Sequence, residues 1–439
     1  MAQVISLSDA AALSNNLLVE GIVADIISVD EWFRYLPFVV FEGLAYTFTR
    51  EASLAAADFA SPGSNLNQSK YQAGATFASV NVNLSAIIAD IIIDGQIEDQ
   101  FSESNDQLQV QISSKAKQVA RIYMNAIVNA RRGSSLVQAN NGPIGIADRF
   151  NGMSSILDAE SGNAGDVNHP FYNAGAGTQS LALVEDDPSS ARSGKAGRVF
   201  TLEDLDDLVD RITAGKPDFL MMNSREIRTL RVLLRNTGGG TDAYMIQQQG
   251  LGNQKPMLYY QDIPVFRNDF ISKAEAVKTT SHTVSSVTDA DTVVLSSATA
   301  ADAAWLLLRG SDGVMYRYAI TAGAGTATVD VTNSGSFFDP EQNKLVARQP
   351  LNASGLFPAT SAAVSAERLD GSSVYCGCWG EFKGVVGFTS ANNAGLKLEY
   401  VGPRENENAY QYRMKWYCGF DLYNRLALAR MRDVLPLGA

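Results

Sequence analysis

Cysteine and histidine are both scarce in this sequence of 439 residues, with three of the first and two of the second. Cys376, Cys378 and Cys418 are too few and too unevenly spaced to form a disulfide framework, so reduced thiols in a cytoplasmic setting are expected. His169 and His282 lie in polar stretches with no Cys or carboxylate partners at ligand spacing. Neither a zinc site nor an acid–base pair is therefore expected, and both read as solvated loop residues. Long hydrophobic runs are also missing. The richest, residues 86–93, is interrupted by Asp90 and is far too short to cross a bilayer. The opening residues Met1 to Ser6 show no basic segment leading into an apolar one, so no secretory signal is expected. Positive charge is in deficit, 35 basic against 47 acidic side chains, for a net charge of -12. A nucleic-acid reader normally carries a basic patch that releases counterions from phosphate. The one tight basic pair in a helical context is Arg131-Arg132, at a helix end, where it suits the negative pole of the dipole.

Convincing catalytic constellations are absent as well. Cys376-Gly377-Cys378 places two thiols on one face of a strand without a second ligand pair, and small buried side chains explain it better than a metal. Ser193-Gly194-Lys195 has the end of a phosphate loop, but Ser189 stands where that loop needs glycine. Glu203, Asp204, Asp206, Asp207 and Asp210 form an acidic run in the first turns of a helix, where the dipole favours negative charge. A solvated helix face is the simple reading there, and a divalent-ion site the alternative. No catalytic, cofactor-binding or metal-binding residue is assigned, and the chain is not expected to be an enzyme.

What is present is patterning, and it reads as α+β. Residues 7–30 have near-helical apolar spacing. Trp32 to Thr49 turns extended through Leu36-Pro37-Phe38 and a Glu42-Gly43 turn. Residues 51–80 then become rich in Ala, Ser, Asn, Gln and Gly, a long polar excursion with its tip near Ser61–Asn65. Residues 105–132 give the strongest helix signal: Leu108, Ile112, Ala116, Val119, Tyr123, Ala126 and Ala130 recur at steps of three and four. A rod of roughly 40 Å with one apolar stripe suits a scaffold element lying on something flat.

Residues 140–198 read as extended loops and short strands. Thr201 and Asp204 resemble a capping box opening a helix through Ile212. Phe219–Met222 reads as a short buried strand, after which Ser224 is expected to cap a helix carrying Ile227, Leu230 and Leu234. Gly238–Gly240 reads as a break. Strands resume around Asp262–Phe266. From about 279 to 366, short alternating runs separated by turns predict a small antiparallel β-domain inserted into the main fold. Residues 410–418 are the clearest strand, with Tyr410, Tyr412, Met414 and Trp416 alternating against Gln411, Arg413, Lys415 and Tyr417.

The order of these elements resembles the HK97-fold major capsid proteins of tailed phages. Four segments carry the resemblance. Leu36–Phe38 through Glu42-Gly43, Tyr46 and Thr49–Glu51 looks like that family's entry into its extended loop. Lys216–Asp218 through Met222-Asn223 with Ser224-Arg225 looks like its axial strand–helix step. Asp262–Phe266 through Asn268-Asp269 is similar to its hairpin, although Asp262 stands where glycine is commoner. Tyr412–Gly419 is similar to the carboxyl-terminal strand of one branch. Together they cover residues 1–278 and 367–439. The β-rich insertion departs from the pattern.

The resemblance implies a division into an amino-terminal arm (1–46), an extended loop (47–82), a peripheral domain with a spine helix (83–199, helix 105–132), and an axial domain (200–278). The β-rich insertion (279–366) and a return to the axial and peripheral domains (367–439) would complete it. It implies hexamers and pentamers of an icosahedral shell enclosing double-stranded DNA without sequence-specific contacts. Such a shell would be assembled in the host cytoplasm, mature from a procapsid, and become the virion capsid. Scaffolding and portal proteins are the implied partners, with a decoration protein as a candidate on the insertion and no membrane. Candidate inter-subunit contacts are Trp32, Phe33, Arg50, Glu51, Lys70, Arg131 and Arg132. An encapsulin-type nanocompartment shell is the first alternative and a β-domain-bearing surface adhesin the second.

Overall fold

The computed structural model describes residues 31–43, 45–53, 55–59, 74–96, 107–130, 150–157, 179–185, 196–236, 258–312, 314–339, 344–391, 396–404 and 407–437. The expected helix at 7–30, the loop tip at 61–65, the partial phosphate-loop match at 193–195 and the break at 238–240 lie outside them. In chain order the elements begin with β1 (Phe38–Phe41), β2 (Ala45–Ser53), β3 (Thr76–Asn83), β4 (Ser85–Asp94) and α1 (Gln107–Asn129). Then come α2 (Met153–Leu157), β5 (Ser180–Ala182), α3 (Leu202–Asp210), β6 (Phe219–Met222), α4 (Ser224–Asn236), β7 (Leu258–Tyr260) and β8 (Ile263–Arg267). The strands β9 (Glu275–Val287), β10 (Thr292–Leu295), β11 (Trp305–Arg309), β12 (Met315–Ala322), β13 (Thr328–Val331), β14 (Ser336–Asp339) and β15 (Lys344–Ala347) follow. The chain finishes with β16 (Ala362–Gly377), β17 (Val385–Ser390), β18 (Lys397–Pro403), β19 (Ala409–Leu422) and β20 (Leu428–Val434). The described residues fall into two compact units, the first within Met1–Ile127, Asp148–Phe150 and Val386–Asp421, the second within Val128–Ala147, Asn151–Val385 and Leu422–Ala439.

The first unit is built on a five-stranded sheet in the order β1-β17-β19-β18, with β4 paired along the other side of β19. The alternation read at 410–418 sets its two faces. Tyr412 and Met414, with Ile91 and Ile93 of β4, make an apolar face, and Leu108, Ile112 and Ala116 of α1 pack on it. Farther along the helix Val119, Tyr123, Met124 and Ile127 are buried. The described helix has 23 residues, about 35 Å of rod. Of the predicted span 105–132, residues 105–106 and 131–132 lie outside the described residues.

Tyr123 is the centre of this packing. Its ring lies 4.6 Å from Trp416, 5.8 Å from Phe33, 6.0 Å from Phe38 and 5.5 Å from Phe150 between centroids. Its hydroxyl donates to the Gly419 carbonyl at 2.9 Å. Gly387 makes room here, since a Cβ on it would meet the Phe38 ring at 2.7 Å and the Tyr123 hydroxyl at 3.0 Å. The other face of the sheet is a charged ladder across three strands. Asp90 accepts from Arg413 at 2.6 Å, and Glu399 from Lys415 at 2.5 Å.

Among the described residues β2 and β3 pair only with each other, from Ala45↔Asn83 to Ser53↔Thr76. They make a ribbon about 30 Å long. Its base is held by Tyr46, whose ring lies 5.4 Å from Phe41 and 5.3 Å from Phe388.

The second unit holds an eleven-stranded sheet in the order β11-β12-β13-β10-β9-β16-β6-β8-β7, with β20 and then β5 also joined to β16. β6 is buried at all of its positions and runs parallel to β8, as a crossover through α4 requires. Thr201 and Asp204 form the expected capping box at the start of α3. The cap of α4 is Asn223 rather than Ser224: its side-chain oxygen accepts from the Arg225 amide at 2.7 Å and the Glu226 amide at 3.2 Å. Ser224 instead begins the helix itself. The β7–β8 hairpin turns on Gln261 and Asp262, both at positive φ (48° and 62°). That geometry explains why glycine suits the Asp262 position better.

The β-rich segment is not a separate sheet. β9 and β16 pair continuously from Ala362↔Thr283 to Gly371↔Glu275, so the boundaries read at 279 and 366 fall inside strands shared with the main sheet. Beyond the bulge at Arg368/Gly371, the path β16-β9-β10-β13-β12-β11 closes on itself when β11 pairs back to β16. The result is a closed barrel without free edges. It is filled by Val284, Val293, Leu306, Leu308, Tyr318 and Val329 among others.

Candidate functional site

The candidate contact residues are dispersed. Trp32 and Phe33 sit in a short 3-10 turn, Glu31–Tyr35. Trp32 is buried in the first unit, and Phe33 is half-buried beside Phe38 and Tyr123, so both rings serve the interior of that unit. Arg50 and Glu51 stand on β2, opposite Ala78 and Phe77. Lys70, Arg131 and Arg132 lie outside the described residues.

His282 overturns its sequence reading. It lies in β9, not in a loop, and is 4% exposed. Its Nδ1 is 2.8 Å from the Ser297 hydroxyl and its Nε2 2.9 Å from the Ser365 hydroxyl. The strand continues from the main sheet into the barrel wall, and polar composition alone does not reveal that. A serine beside a histidine invites a nucleophile reading, but Ser365 is buried and no carboxylate orients the ring.

Burial holds the His282 pKa below its ordinary value. A depressed folded-state pKa gives stability that is full above the unfolded value of about 6.5 and is lost as pH falls through the folded value. His282→Gln should therefore flatten the loss of thermal stability between pH 7 and 5 relative to wild type. Parallel melting curves over that range would contradict this. His169 lies outside the described residues.

Cys376, Cys378 and Cys418 are all buried and free, and burial pushes each thiol up, away from the reactive thiolate. Among the described residues no group of three or more His, Cys, Asp or Glu side chains is placed to hold a metal.

The acidic run on α3 has mostly organic partners. Asp204 accepts from both terminal nitrogens of Arg198 at 2.6 Å. Asp206 accepts from the Tyr260 hydroxyl at 2.5 Å and Gln261 at 2.7 Å. Asp207 pairs with Arg211 at 3.1 Å. These carboxylates point in different directions and do not converge on one ion. Glu203, Asp207 and Asp210 face solvent.

Two buried carboxylates lie where the barrel joins the main sheet. Glu275 accepts from Ser373 at 2.6 Å and pairs with Arg430 at 3.3 Å, and Arg430 also donates to Ser373 at 3.0 Å. Glu226 pairs with Arg225 at 2.7 Å. Burial pushes both carboxyls up, and the partner arginine opposes the shift in each case. Glu226, Glu275 and Arg430 are buried and Arg225 is partly exposed, and the cluster reads as a structural knot.

The surface offers assembly features instead. At the far part of the ribbon Phe77 is 67% exposed, and beyond β2 Phe59 is 98% exposed. On α4, Arg228, Arg231 and Arg235 all face solvent. Sequence reasoning missed this stripe because it sought adjacent basic pairs, whereas a helix brings together residues three and four apart.

No family model matches the chain, and no curated protein matches it. Solved structures do. An encapsulin complex (holo-SrpI) from Synechococcus elongatus PCC 7942 aligns with a TM-score of 0.50 at 13% identity, covering 98% of this chain and 96% of that one. The capsid of a native GTA particle aligns at 0.45 and 12% identity, over 98% of this chain and 100% of that one. A Mycobacterium phage Ogopogo structure aligns at 0.45 and 12% identity, over 98% and 99%. The first alignment carries the assignment of fold: the chain has the mixed α+β, HK97-like capsid fold.

Proposed function

We propose that this chain is a shell subunit, built to be completed by copies of itself and without a catalytic site of its own. The ribbon β2–β3 carries this reading. A lone two-stranded ribbon is marginal in water, and this one pairs with no third strand among the described residues. It nevertheless exposes Phe77, and Phe59, beyond the end of β2, is exposed as well. Aromatic side chains of this size bury roughly 150–250 Å² each when covered. A neighbouring subunit is the natural cover, and repetition over a closed lattice turns a weak contact into a stable shell.

The context we favour is the major capsid protein of a tailed phage. Its hexamers and pentamers would assemble in the host cytoplasm with scaffolding and portal proteins, then mature and enclose double-stranded DNA. The closed barrel would be the surface for a decoration protein. The net charge of -12 suits a container wall that does not adhere to its contents. The second reading, a nanocompartment shell, is favoured by the alignment to an encapsulin complex. The contents of purified particles separate the two, DNA against protein cargo.

Phe77→Ser tests the ribbon's role. An exposed position away from packing should shift stability by no more than about 0.5 kcal/mol. The assembled fraction in electron micrographs and light scattering should fall at least tenfold, on the order of 1.4 kcal/mol per subunit contact. Full assembly of the variant would remove the ribbon from the argument, and a wild-type chain that stays monomeric with its scaffold present would remove the shell.

A further inference from the structure

α3 and α4 each carry one exposed charge stripe, of opposite sign. On α4 the exposed Arg228, Arg231 and Arg235 fall at steps of three and four, within an arc of about 60°. On α3 the exposed Glu203, Asp207 and Asp210 fall at steps of four and three, in an arc of the same width. Both stripes are about 10 Å long. No ion pair joins the two helices among the described residues. Of the six side chains only Asp207 has an ionic partner there, the half-buried Arg211 that caps the end of α3. The reversed step order means that an antiparallel alignment brings all three positions into register. Arg228 then meets Asp210, Arg231 meets Asp207, and Arg235 meets Glu203.

We propose that the solvent face of α4 docks antiparallel on the solvent face of α3 of a second copy of this chain, through these three arginine–carboxylate pairs. The inference rests on the shell reading above and names one of its contacts. Two different patches on one chain make a heterologous interface, the kind whose repetition forms a ring when its rotation closes, as a capsomer requires. Nucleic acid is the less suitable occupant of the arginine face: a chain with net charge -12 repels a polyanion, whereas the matching carboxylates are present on every neighbour. Contacts of this kind are screened by salt, so assembly should weaken as ionic strength rises.

The test uses the full chain in two charge-swapped forms, one carrying R228E, R231E and R235E, the other E203K, D207K and D210K. Asp204 is left intact because it belongs to the cap of α3. Each form alone should fail to assemble at tenfold the wild-type threshold concentration. An equimolar mixture should form hexamers, whose six places let the two forms alternate so that every interface meets an opposite charge, and a chain carrying both sets should assemble fully. Recovery by mixing also separates a broken contact from a broken fold, since misfolded chains do not repair one another. A neutral set, R228Q with R231Q and R235Q, should raise the threshold and remove most of its salt dependence.

Swapped forms that assemble like wild type would overturn the pairing and leave the shell reading standing. So would folded forms that fail and are rescued neither by mixing nor by combination. An arginine-swapped form with normal shells but reduced polyanion content would assign the stripe to the contents and overturn the proposal. A wild-type chain that never assembles would take both readings down.

Discussion

Arg430→Ala is expected to lower the stability of the second unit by about 3–5 kcal/mol, the usual result of stripping one partner from a buried ion pair. Arg430 is 2% exposed and Glu275 8% exposed, with Ser373 between them as a shared hydrogen-bond partner. The guanidinium also lies 5.7 Å from the centre of the Tyr375 ring. Removing it leaves a carboxylate enclosed where β9, β16 and β20 meet. Burial already holds the Glu275 carboxyl above its ordinary value, and Arg430 is the strongest opposing influence.

A raised folded-state pKa gives stability that is full below the unfolded carboxyl value and is lost as pH rises through the folded one. The penalty of Arg430→Ala should therefore be greatest near neutral pH and shrink towards pH 4.5. Pairing Arg430→Met with Glu275→Gln should recover most of the loss, because the enclosed charge is then gone. Denaturant unfolding of the three chains at pH 4.5 and 7.5 measures this. A penalty under 1 kcal/mol, or one equal at both pH values, would show that the pair is not what holds the junction.

Tyr123→Ala should cost the first unit a similar amount, about 3–5 kcal/mol, through the cavity left by a fully buried ring. Trp416, Phe33, Phe38 and Phe150 all lose their common neighbour. Tyr123→Phe keeps the ring and removes only the hydroxyl, leaving the Gly419 carbonyl without that donor. It should cost about 1–1.5 kcal/mol. The gap between the two substitutions separates packing from hydrogen bonding. Equal melting shifts for the two would mean that the ring contributes little and that α1 is held elsewhere along its length. Because α1 and the sheet form one packed body, the alanine chain should also fail to assemble at temperatures where wild type does.

Local pattern was legible wherever one side chain's neighbours lie a few residues away. The stripe from Leu108 to Tyr123, the alternation from Tyr410 to Tyr417, the Thr201–Asp204 cap and the strand Phe219–Met222 are all readable in the amino-acid sequence. The cap of α4 was misread by one residue. Asn223 and Ser224 are both good caps, and the choice was made by Asn223 also donating to Ser372, far away in sequence. His282 was misread because its burial comes from Ser297 and Ser365, which folding brings to it. The arginine stripe of α4 was present in the letters but not as adjacent letters. Its counterpart on α3 was read as a solvated face, which it is within one chain.

By itself the sequence determined the periods: where the chain is helical, where it is extended, and which side of each element is apolar. Those follow from 3.6- and 2-residue repeats that act over a single element. Tertiary structure alone decided what each apolar side is pressed against. The pairing of β11 back to β16 closes a barrel in place of an open insertion, and joining Glu275 to Arg430 makes an enclosed ion pair of two ordinary charges. Such pairings depend on which distant segments meet. A repeat records that a face is covered, but it carries no record of its cover.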